Sequence, residues 1–291
     1  MVTNILKAII TIKKRKDFDL SKIGVVSKDR ASAVNRANNM GEALEFFTKD
    51  AFCNTFEETN AQKKKEIYSE NFSYLGNQNN PPDIIIKNSD AIEVKKIDGV
   101  RATDLALNSS YPKAKLHKDS PMITSACRNC ENWTEKDIIY AVGHIDNHNL
   151  KILSLVYGDC YAASKEIYER IKDKISIGLK EMDLEFSETK ELGRVNRVDP
   201  LGITNLRIRG MWTIQNPLKV YKELFSLNGN GFQLFALMRK SKYDSFSKVS
   251  QHPSQLSFAK ANSKPALVKP KSSPPAPEKN DAIFIFSPQL I

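Results

Sequence analysis

Two short apolar segments separated by a turn place the strongest constraint on the fold of this 291-residue chain. The segments are residues 83–87 and 91–97, and both are rich in isoleucine and valine, which favour strands. Between them lies Asn88-Ser89-Asp90, a sequence typical of a tight turn. The pattern predicts an antiparallel β-hairpin.

The predicted hairpin brings two carboxylates and one ammonium group together. Side chains two residues apart in a strand point to the same face, so Glu93 and Lys95 project together while Val94 enters the core. The turn folds Asp83 back beside them. Neighbouring carboxylates repel each other unless a divalent cation lies between them, and their hard oxygen ligands favour Mg²⁺.

This chemistry suits phosphodiester hydrolysis. Magnesium can polarise a phosphate and acidify a bound water, and Lys95 can hold that water or neutralise charge on the phosphate. We therefore predict Asp83, Glu93 and Lys95 as catalytic residues, with Asp83 and Glu93 as metal ligands.

Other periodicities predict a mixed α/β architecture. Helical spacing covers residues 1–12, 31–52, 119–136 and 162–182, and strand-like runs cover residues 137–143 and 150–157. This order of elements predicts an α/β (α+β) fold with a central mixed β-sheet flanked by helices.

The composition changes near the C-terminal end. After about Tyr243 the chain becomes rich in serine, lysine and proline. We predict one domain over residues 1–240 and a disordered tail over residues 241–291.

The net charge of +10 favours a polyanionic partner, because lysine and arginine release condensed counterions when they bind phosphates. No run of 18 apolar residues is present, and the basic cluster at residues 13–16 follows the N-terminal apolar segment instead of preceding it. We therefore expect no membrane association and a cytoplasmic location.

The four cysteines do not predict a metal site. Only Cys127 and Cys130 have suitable spacing, and neither a second pair nor a fitting histidine pair accompanies them. We interpret all four as thiols in a reducing compartment.

Three functions fit these observations. Asp83, Glu93 and Lys95 fit a sequence-specific nuclease, or a structure-specific nuclease that acts on junctions or in repair, although an acid-x-base pair on a strand is also common without any such function. A non-catalytic DNA-binding protein would also explain the positive charge.

A resemblance favours the first function. Pro82-Asp83 and Glu93-Val94-Lys95 resemble the motif of the PD-(D/E)xK nucleases. More specifically, the chain resembles NgoPII-type restriction endonucleases over about residues 31–215. The segments that carry this resemblance are 35–45 (NRANNMGEALE), 72–83 (FSYLGNQNNPPD), 90–97 (DAIEVKKI), 105–110 (LALNSS), 188–200 (ETKELGRVNRVDP) and 206–212 (LRIRGMW).

The resemblance implies several further properties. It implies a restriction-endonuclease-like core and a type II restriction endonuclease that recognises GGCC. A cognate DNA methyltransferase would belong to the same system. It also implies a third metal ligand on the first helix of that core, here the helix over residues 31–52, at Glu45, four residues after Gly41, or at Glu42 as a substitute.

Recognition of GGCC in double-stranded DNA would use side chains that contact guanine O6 and N7 and cytosine N4. Asp199 is a candidate acceptor for the cytosine amino group, and Lys113 suits a phosphate. A palindromic site further predicts a homodimer. The candidate DNA-binding residues are Arg194, Arg197, Arg207 and Arg209, with Asn108, Ser109, Ser110 and Lys113 as a second group.

Overall fold

A mixed β-sheet of nine strands runs through the part of the protein that the computed structural model describes. The described residues are 3–23, 36–77, 80–108, 110–120, 122–182, 184, 186–187, 189, 192–222, 231–247, 258–261 and 283–286. The predicted α/β class, with a central mixed sheet and flanking helices, is confirmed.

The strands are β1 (Phe72–Asn77), β2 (Asn80–Ile86), β3 (Ala91–Asp98), β4 (Leu105–Asn108), β5 (Lys115–His117), β6 (Glu135–Asp146), β7 (Asn149–Tyr157), β8 (Gly193–Val195), β9 (Leu206–Ile208), β10 (Met211–Ile214), β11 (Gln233–Arg239), β12 (Phe258–Ala261) and β13 (Ile283–Phe286). The helices are α1 (Ile5–Lys13), α2 (Arg36–Cys53), α3 (Ala61–Asn71), α4 (Ser125–Asn129), α5 (Gly158–Tyr161), α6 (Lys165–Lys180), α7 (Pro217–Val220) and α8 (Lys240–Ser245), with a 3₁₀ turn at Leu20–Lys22.

The main sheet has the strand order β1-β2-β3-β6-β7-β11-β13-β12, and β5 pairs with β6. The pairs β3–β6 and β7–β11 are parallel, and the other pairs are antiparallel. Two small sheets, β4–β10 and β8–β9, lie outside it. The sheet therefore places β3 between β2 and β6, in the interior of the protein.

The predicted hairpin is confirmed as β2 and β3, and it is buried on both faces. Ile84 and Ile86 join the apolar cluster beneath α1 and α2, whereas Ile85 joins the cluster on the opposite face. Two-sided burial explains why three consecutive isoleucines suit this strand, since a strand covered on one face would alternate with polar residues.

Helix α2 packs closely against the sheet. Its Leu44 and Phe47 are fully buried, and a Cβ added to Gly143 of β6 would lie only 2.6 Å from Leu44 Cδ2. Glycine at this position therefore allows the helix to approach β6. The same contact fixes the position of Glu45, the residue after Leu44.

The predicted helix over residues 119–136 is wrong. Only the short α4 forms there, and the remainder is an irregular segment that precedes β6. Arg128 explains the difference, because its guanidinium donates to the carbonyl oxygens of Lys118, at 3.0 Å, and of Ser120. These contacts close the segment into a loop that covers the sheet.

The prediction of disorder from residue 241 onwards needs correction for the described residues. Helix α8 continues directly from β11, and β13 pairs with β11 in an antiparallel register. The reason is the apolar run Ile283-Phe-Ile-Phe286, which supplies a strand for an otherwise open sheet edge. Residues 248–257, 262–282 and 287–291 lie outside the described part of the chain.

Lys242 of α8 ties this C-terminal segment to the turn between β2 and β3. Its Nζ donates to Asp90 Oδ1 at 2.6 Å and to Asp137 Oδ2 at 2.7 Å. Asp90 is buried and also accepts a hydrogen bond from Tyr157 Oη at 2.6 Å. A buried carboxylate has lost its hydration, and the nearby Lys242 ammonium group offsets that cost.

We expect Lys242→Ala to lower the free energy of unfolding by about 3 kcal/mol, because it leaves the buried Asp90 carboxylate without its cation. Urea denaturation measures this loss. Lys240→Ala on the same helix is the matched control, since its pair with Asp244 is about half exposed on both sides and is expected to contribute less than about 1 kcal/mol. Equal losses in the two variants would contradict the assignment.

Among the described helices, none combines the length and the apolar character that crossing a bilayer requires.

Candidate active site

The register of the β2–β3 hairpin brings Asp83 next to Glu93. Ile84 pairs with Ile92, and continuing this register by one residue sets Asp83 opposite Glu93. The Asp83 carboxylate turns towards β3, where its Oδ2 accepts a hydrogen bond of 2.6 Å from the Val94 backbone N–H. The hairpin therefore holds the first acidic side chain by a backbone contact.

Lys95 and Glu93 project from the same face of β3 and form an ion pair. Lys95 Nζ lies 2.6 Å from Glu93 Oε1, and the Glu93 side chain is only 9% exposed. Val94 between them packs into the core on the other face. The structure thus brings together the three residues that the spacing singled out.

Electrostatic strain is concentrated at Asp83. Burial, followed by the charge of Glu93, raises the pKa of the Asp83 carboxyl to about 8, although Lys95 acts in the opposite direction. Burial alone would lower the pKa of Lys95, but the carboxylates of Glu93 and Asp83 outweigh it and raise that pKa. Ionising both carboxylates at this site is therefore costly, and a bound cation would favour their charged forms.

Of the two candidate glutamates on α2, Glu45 is the one that interacts with the hairpin. Burial raises the pKa of Glu45, the nearby Lys49 lowers it, and the charges of Glu42 and Glu93 raise it further. Glu42 is exposed to solvent. Lys49 Nζ lies 3.7 Å from Glu45 Oε2, so this carboxylate already has a cationic neighbour.

The oxygen atoms at the hairpin fit a hard divalent cation. Glu93 Oε2 is buried, and no hydrogen-bond partner for it is found among the described residues. Within those same ranges, no three His, Cys, Asp or Glu side chains are grouped closely enough to hold an ion. Mg²⁺ is commonly held by one or two carboxylates plus water and substrate phosphate oxygens, so Asp83 and Glu93 suffice for such a site.

Gly76 of β1 allows the neighbouring strand to pass close to Asp83. A Cβ at this position would lie 2.5 Å from the Pro82 carbonyl oxygen and 3.0 Å from Asp83 Cα. Any side chain would displace the backbone that carries Asp83. No local sequence pattern marks this role of Gly76, because it depends on how closely β1 approaches the start of β2.

Ser110 and Lys113 lie inside the protein and not on its surface. Lys113 Nζ donates to Ser110 Oγ and to the Tyr111 carbonyl oxygen at 3.2 Å, and both side chains are buried. Burial lowers the pKa of Lys113 to about 8 against the opposing effect of Glu93. The prediction that these two side chains contact DNA therefore does not fit their burial or the hydrogen bonds of Lys113 within the protein.

Tyr140 of β6 explains how the segment around Lys113 is held. It pairs with Glu93 in the parallel β3–β6 register, and its Oη accepts a hydrogen bond of 2.6 Å from the Lys113 backbone N–H. Tyr140 was not predicted as a site residue. No local signal marks it, because its role depends on which strand lies beside β3.

The predicted arginines belong to a small hairpin, β8–β9, and to the segment that follows it. Arg194 and Arg207 are directly opposite each other in the ladder, an arrangement of like charges that is unfavourable without a counterion. Arg194 is partly buried and donates from Nε to Asn196 Oδ1 at 2.8 Å. Arg197, Arg207 and Arg209 are exposed.

The structure describes only some of the remaining predicted DNA-binding residues. Asn108 belongs to β4, where its backbone pairs with Met211 of β10. The Asn108 side chain and the whole of Ser109 lie outside the described part of the chain. The Asp199 side chain is hydrogen-bonded within its own loop, since its two carboxylate oxygens accept from the backbone N–H groups of Leu201 and Thr204.

An aromatic cluster joins the arginine-bearing segment to the main body. Tyr111 stacks on Tyr168 of α6 with ring centroids 5.2 Å apart, and Trp212 of β10 meets Tyr168 edge-on at 5.4 Å. Asn216, which follows β10, is fully buried and donates to the Thr103 carbonyl oxygen at 3.1 Å. The Asn216 hydrogen bond connects the end of β10 to the loop that follows β3, and the aromatic contacts connect β10 to α6.

Comparison with known proteins decides the family. The model of the NgoPII restriction endonuclease family matches residues 3–267. The chain belongs to the NgoPII restriction endonuclease family. One relative in this family is the type II restriction enzyme NgoPII of Neisseria gonorrhoeae, which is 45% identical over 251 residues, or 85% of this chain and 87% of the relative. No solved structure matches the chain.

Family membership selects among the three functions that the residues alone allowed. NgoPII-family proteins are restriction endonucleases, so this chain is a type II site-specific deoxyribonuclease that acts on double-stranded DNA. The match also extends beyond residue 240, which is consistent with the placement of α8 in the folded structure.

Proposed function

We propose that this NgoPII-family enzyme hydrolyses DNA with Mg²⁺ at the β2–β3 hairpin, with Asp83, Glu93 and Lys95 as its catalytic residues. The observation that carries this proposal is the buried Glu93 Oε2, which has no hydrogen-bond partner among the described residues, beside Asp83, whose pKa is raised by burial and by the charge of Glu93. Asp83 and Glu93 would hold the ion, and Glu45 would assist from α2.

Bound Mg²⁺ would supply Lewis acidity towards the scissile phosphate and its attacking water. The Val94 N–H orients the Asp83 carboxylate, which would let it hold the ion with little reorganisation. Lys95 donates to Glu93 in the free protein and can turn its ammonium group towards charge that develops on the phosphate. The backbone contacts of the hairpin keep these groups in register during the reaction.

We propose GGCC as the recognition sequence, which rests on the family resemblance and on the exposed arginines suited to guanine. The test is digestion of a sequenced plasmid with the purified protein, followed by mapping of the fragment ends. We expect discrete fragments with ends at GGCC when Mg²⁺ is present, and none with a chelator. Preferred cutting of branched DNA over linear GGCC duplex would overturn the proposal.

We further propose that the enzyme acts as a homodimer. Each chain carries one such hairpin, whereas a palindromic duplex presents two symmetry-related phosphodiester bonds. Helix α6 offers a surface for the second copy, because none of its residues is buried and its Ile171 and Ile175, one turn apart, are 38% and 45% exposed. Apolar side chains repeated on one exposed helix face are typical of a contact surface.

We expect Ile175→Glu to weaken dimerisation about 100-fold, because a charge would be buried at the centre of the contact. Light scattering after size exclusion, with and without DNA, measures this change. Ile177→Glu is the matched control, since Ile177 is 57% exposed but projects from the other side of α6. A wild-type protein that is monomeric both free and on DNA would contradict the dimer.

A restriction enzyme with this substrate requires protection of the host's own sites. We propose that a companion DNA methyltransferase modifies the same sequence, as a functional partner without physical association.

A further inference from the structure

The loop that joins β8 to β9 exposes two large apolar side chains. Leu201 is 79% exposed and Ile203 is 75% exposed, the highest values among the large apolar residues of the described chain. We call these two residues the apolar tip. Isolated surface leucines are ordinary, but two so exposed on one short loop expose apolar surface whose burial would be favourable.

The loop that carries the apolar tip is tightly braced. Asp199 accepts hydrogen bonds from Leu201 N at 2.9 Å and from Thr204 N at 2.6 Å. Its carbonyl oxygen accepts another from Gly202 N at 2.9 Å, and Gly202 has a φ of 69°, which glycine adopts without strain. The apolar tip is thus presented in a defined conformation.

The surroundings of the apolar tip are strongly cationic. Residues 192–210 contain four arginines and a single acid, Asp199, whose carboxylate oxygens are engaged by the loop backbone. Arg197 lies at the base of the loop and is exposed, with its backbone N–H bound to Asn205 Oδ1 at 3.2 Å. Arg207 faces Arg194 across the ladder.

A partner for this surface must accept apolar groups at its centre and cations around them. The base stack of DNA has this combination, because apolar base faces lie between two rows of phosphates. A protein partner would have to desolvate the surrounding guanidinium groups in order to bury the two apolar side chains.

We propose that the apolar tip inserts between base pairs of the bound duplex while the arginines around it bind the flanking phosphates. The inference rests on the DNA-cleaving function and extends it, since it assigns Leu201 and Ile203 to distortion of the substrate. Unstacking one step costs a few kcal/mol, which the added apolar and phosphate contacts offset.

The test uses full-length protein and duplexes that contain the site mapped by digestion. Each duplex carries one fluorescent base, either 2-aminopurine at a flanking adenine or a fluorescent guanine analogue within the site. Ca²⁺ replaces Mg²⁺ so that the duplex stays intact. The proteins are the wild type, the double variant Leu201→Ala/Ile203→Ala, Arg197→Ala, and Val220→Ala as an exposed apolar control on α7.

We expect the wild type and Val220→Ala to raise the emission at one position of the panel, since an unstacked base is less quenched. The double variant should abolish this rise and bind about tenfold more weakly or worse. Its dependence of affinity on salt should be unchanged, because apolar groups release no counterions. Arg197→Ala should retain the emission but lower the slope of log K against log salt by about one.

Wild-type affinity and emission in the double variant would overturn the proposal. A double variant that changes the oligomeric state of the free protein, with base emission unaltered, would instead identify the apolar tip as a protein contact. A wild type that binds duplex without any emission change overturns the proposed insertion but leaves the nuclease function unaffected. A wild type that neither binds nor cuts DNA removes the nuclease function as well.

Discussion

Glu93→Gln is expected to reduce the rate of DNA cleavage roughly 10³-fold or more, because the substitution removes the negative charge that would hold the metal ion. Glutamine has nearly the same shape, and it keeps an oxygen that can accept from Lys95, so the fold should persist. Plasmid cleavage in Mg²⁺ measures the loss, and circular dichroism with urea denaturation checks the fold.

Lys95→Ala should lower the rate about 10²- to 10³-fold, since it removes the ammonium group that would neutralise charge developing on the phosphate. Lys96→Ala is the control for both variants. Lys96 belongs to the same strand but points to the other face, where it pairs with the exposed Asp98 at 2.8 Å. We expect its activity to be unchanged, and cleavage at the wild-type rate by Glu93→Gln and Lys95→Ala would refute the assignment of the site.

Asp83→Asn should abolish cleavage and yet stabilise the metal-free protein. The pKa of the Asp83 carboxyl is raised from an ordinary value of 3.8 to about 8. Between these values the unfolded chain is ionised while the folded protein keeps its proton, so the free energy of unfolding falls as pH rises through this window. Asparagine removes that penalty, and we expect a gain of about 2 kcal/mol at pH 8 and little difference near pH 4.

Added Mg²⁺ distinguishes this electrostatic account from simple repacking. An ion bound by Asp83 and Glu93 stabilises the folded wild type by mass action, so wild type should gain stability in Mg²⁺ while Asp83→Asn should not. Urea denaturation at pH 5 and pH 8, with and without Mg²⁺, tests both statements. Asp98→Asn is the control, because the Asp98 side chain is 83% exposed on β3. A less stable Asp83→Asn at pH 8 would contradict the interpretation.

The core of the candidate site could be predicted from the sequence because it is local. Asp83 and Glu93 are ten positions apart and joined by a turn, so alternation along the strands is enough to place them together. The same alternation separates Val94 from Lys95. Helix α2 was also predictable from its apolar spacing, which brought Glu45 into consideration.

Other features depend on contacts that no local pattern encodes. Tyr140 meets Glu93 only because β6 lies parallel to β3, and the buried Lys113 is held beside β6 by the bond from its backbone N–H to Tyr140. Asp199 was considered for cytosine, but its carboxylate braces the loop of the apolar tip. Charged residues in such segments look alike in sequence, whether they are solvated or buried.

The sequence by itself determined the β2–β3 hairpin, its two carboxylates and ammonium group, and the positive charge that suits DNA. Turn residues and strand periodicity act over a few positions, so these features follow from short segments. Only the tertiary structure decided which lysines are buried, how β13 pairs in the sheet with α8 packed beside it, and which apolar residues stay exposed beside the arginines. These depend on which distant strands pair and on what burial of each side chain costs, and both are settled when the whole chain packs.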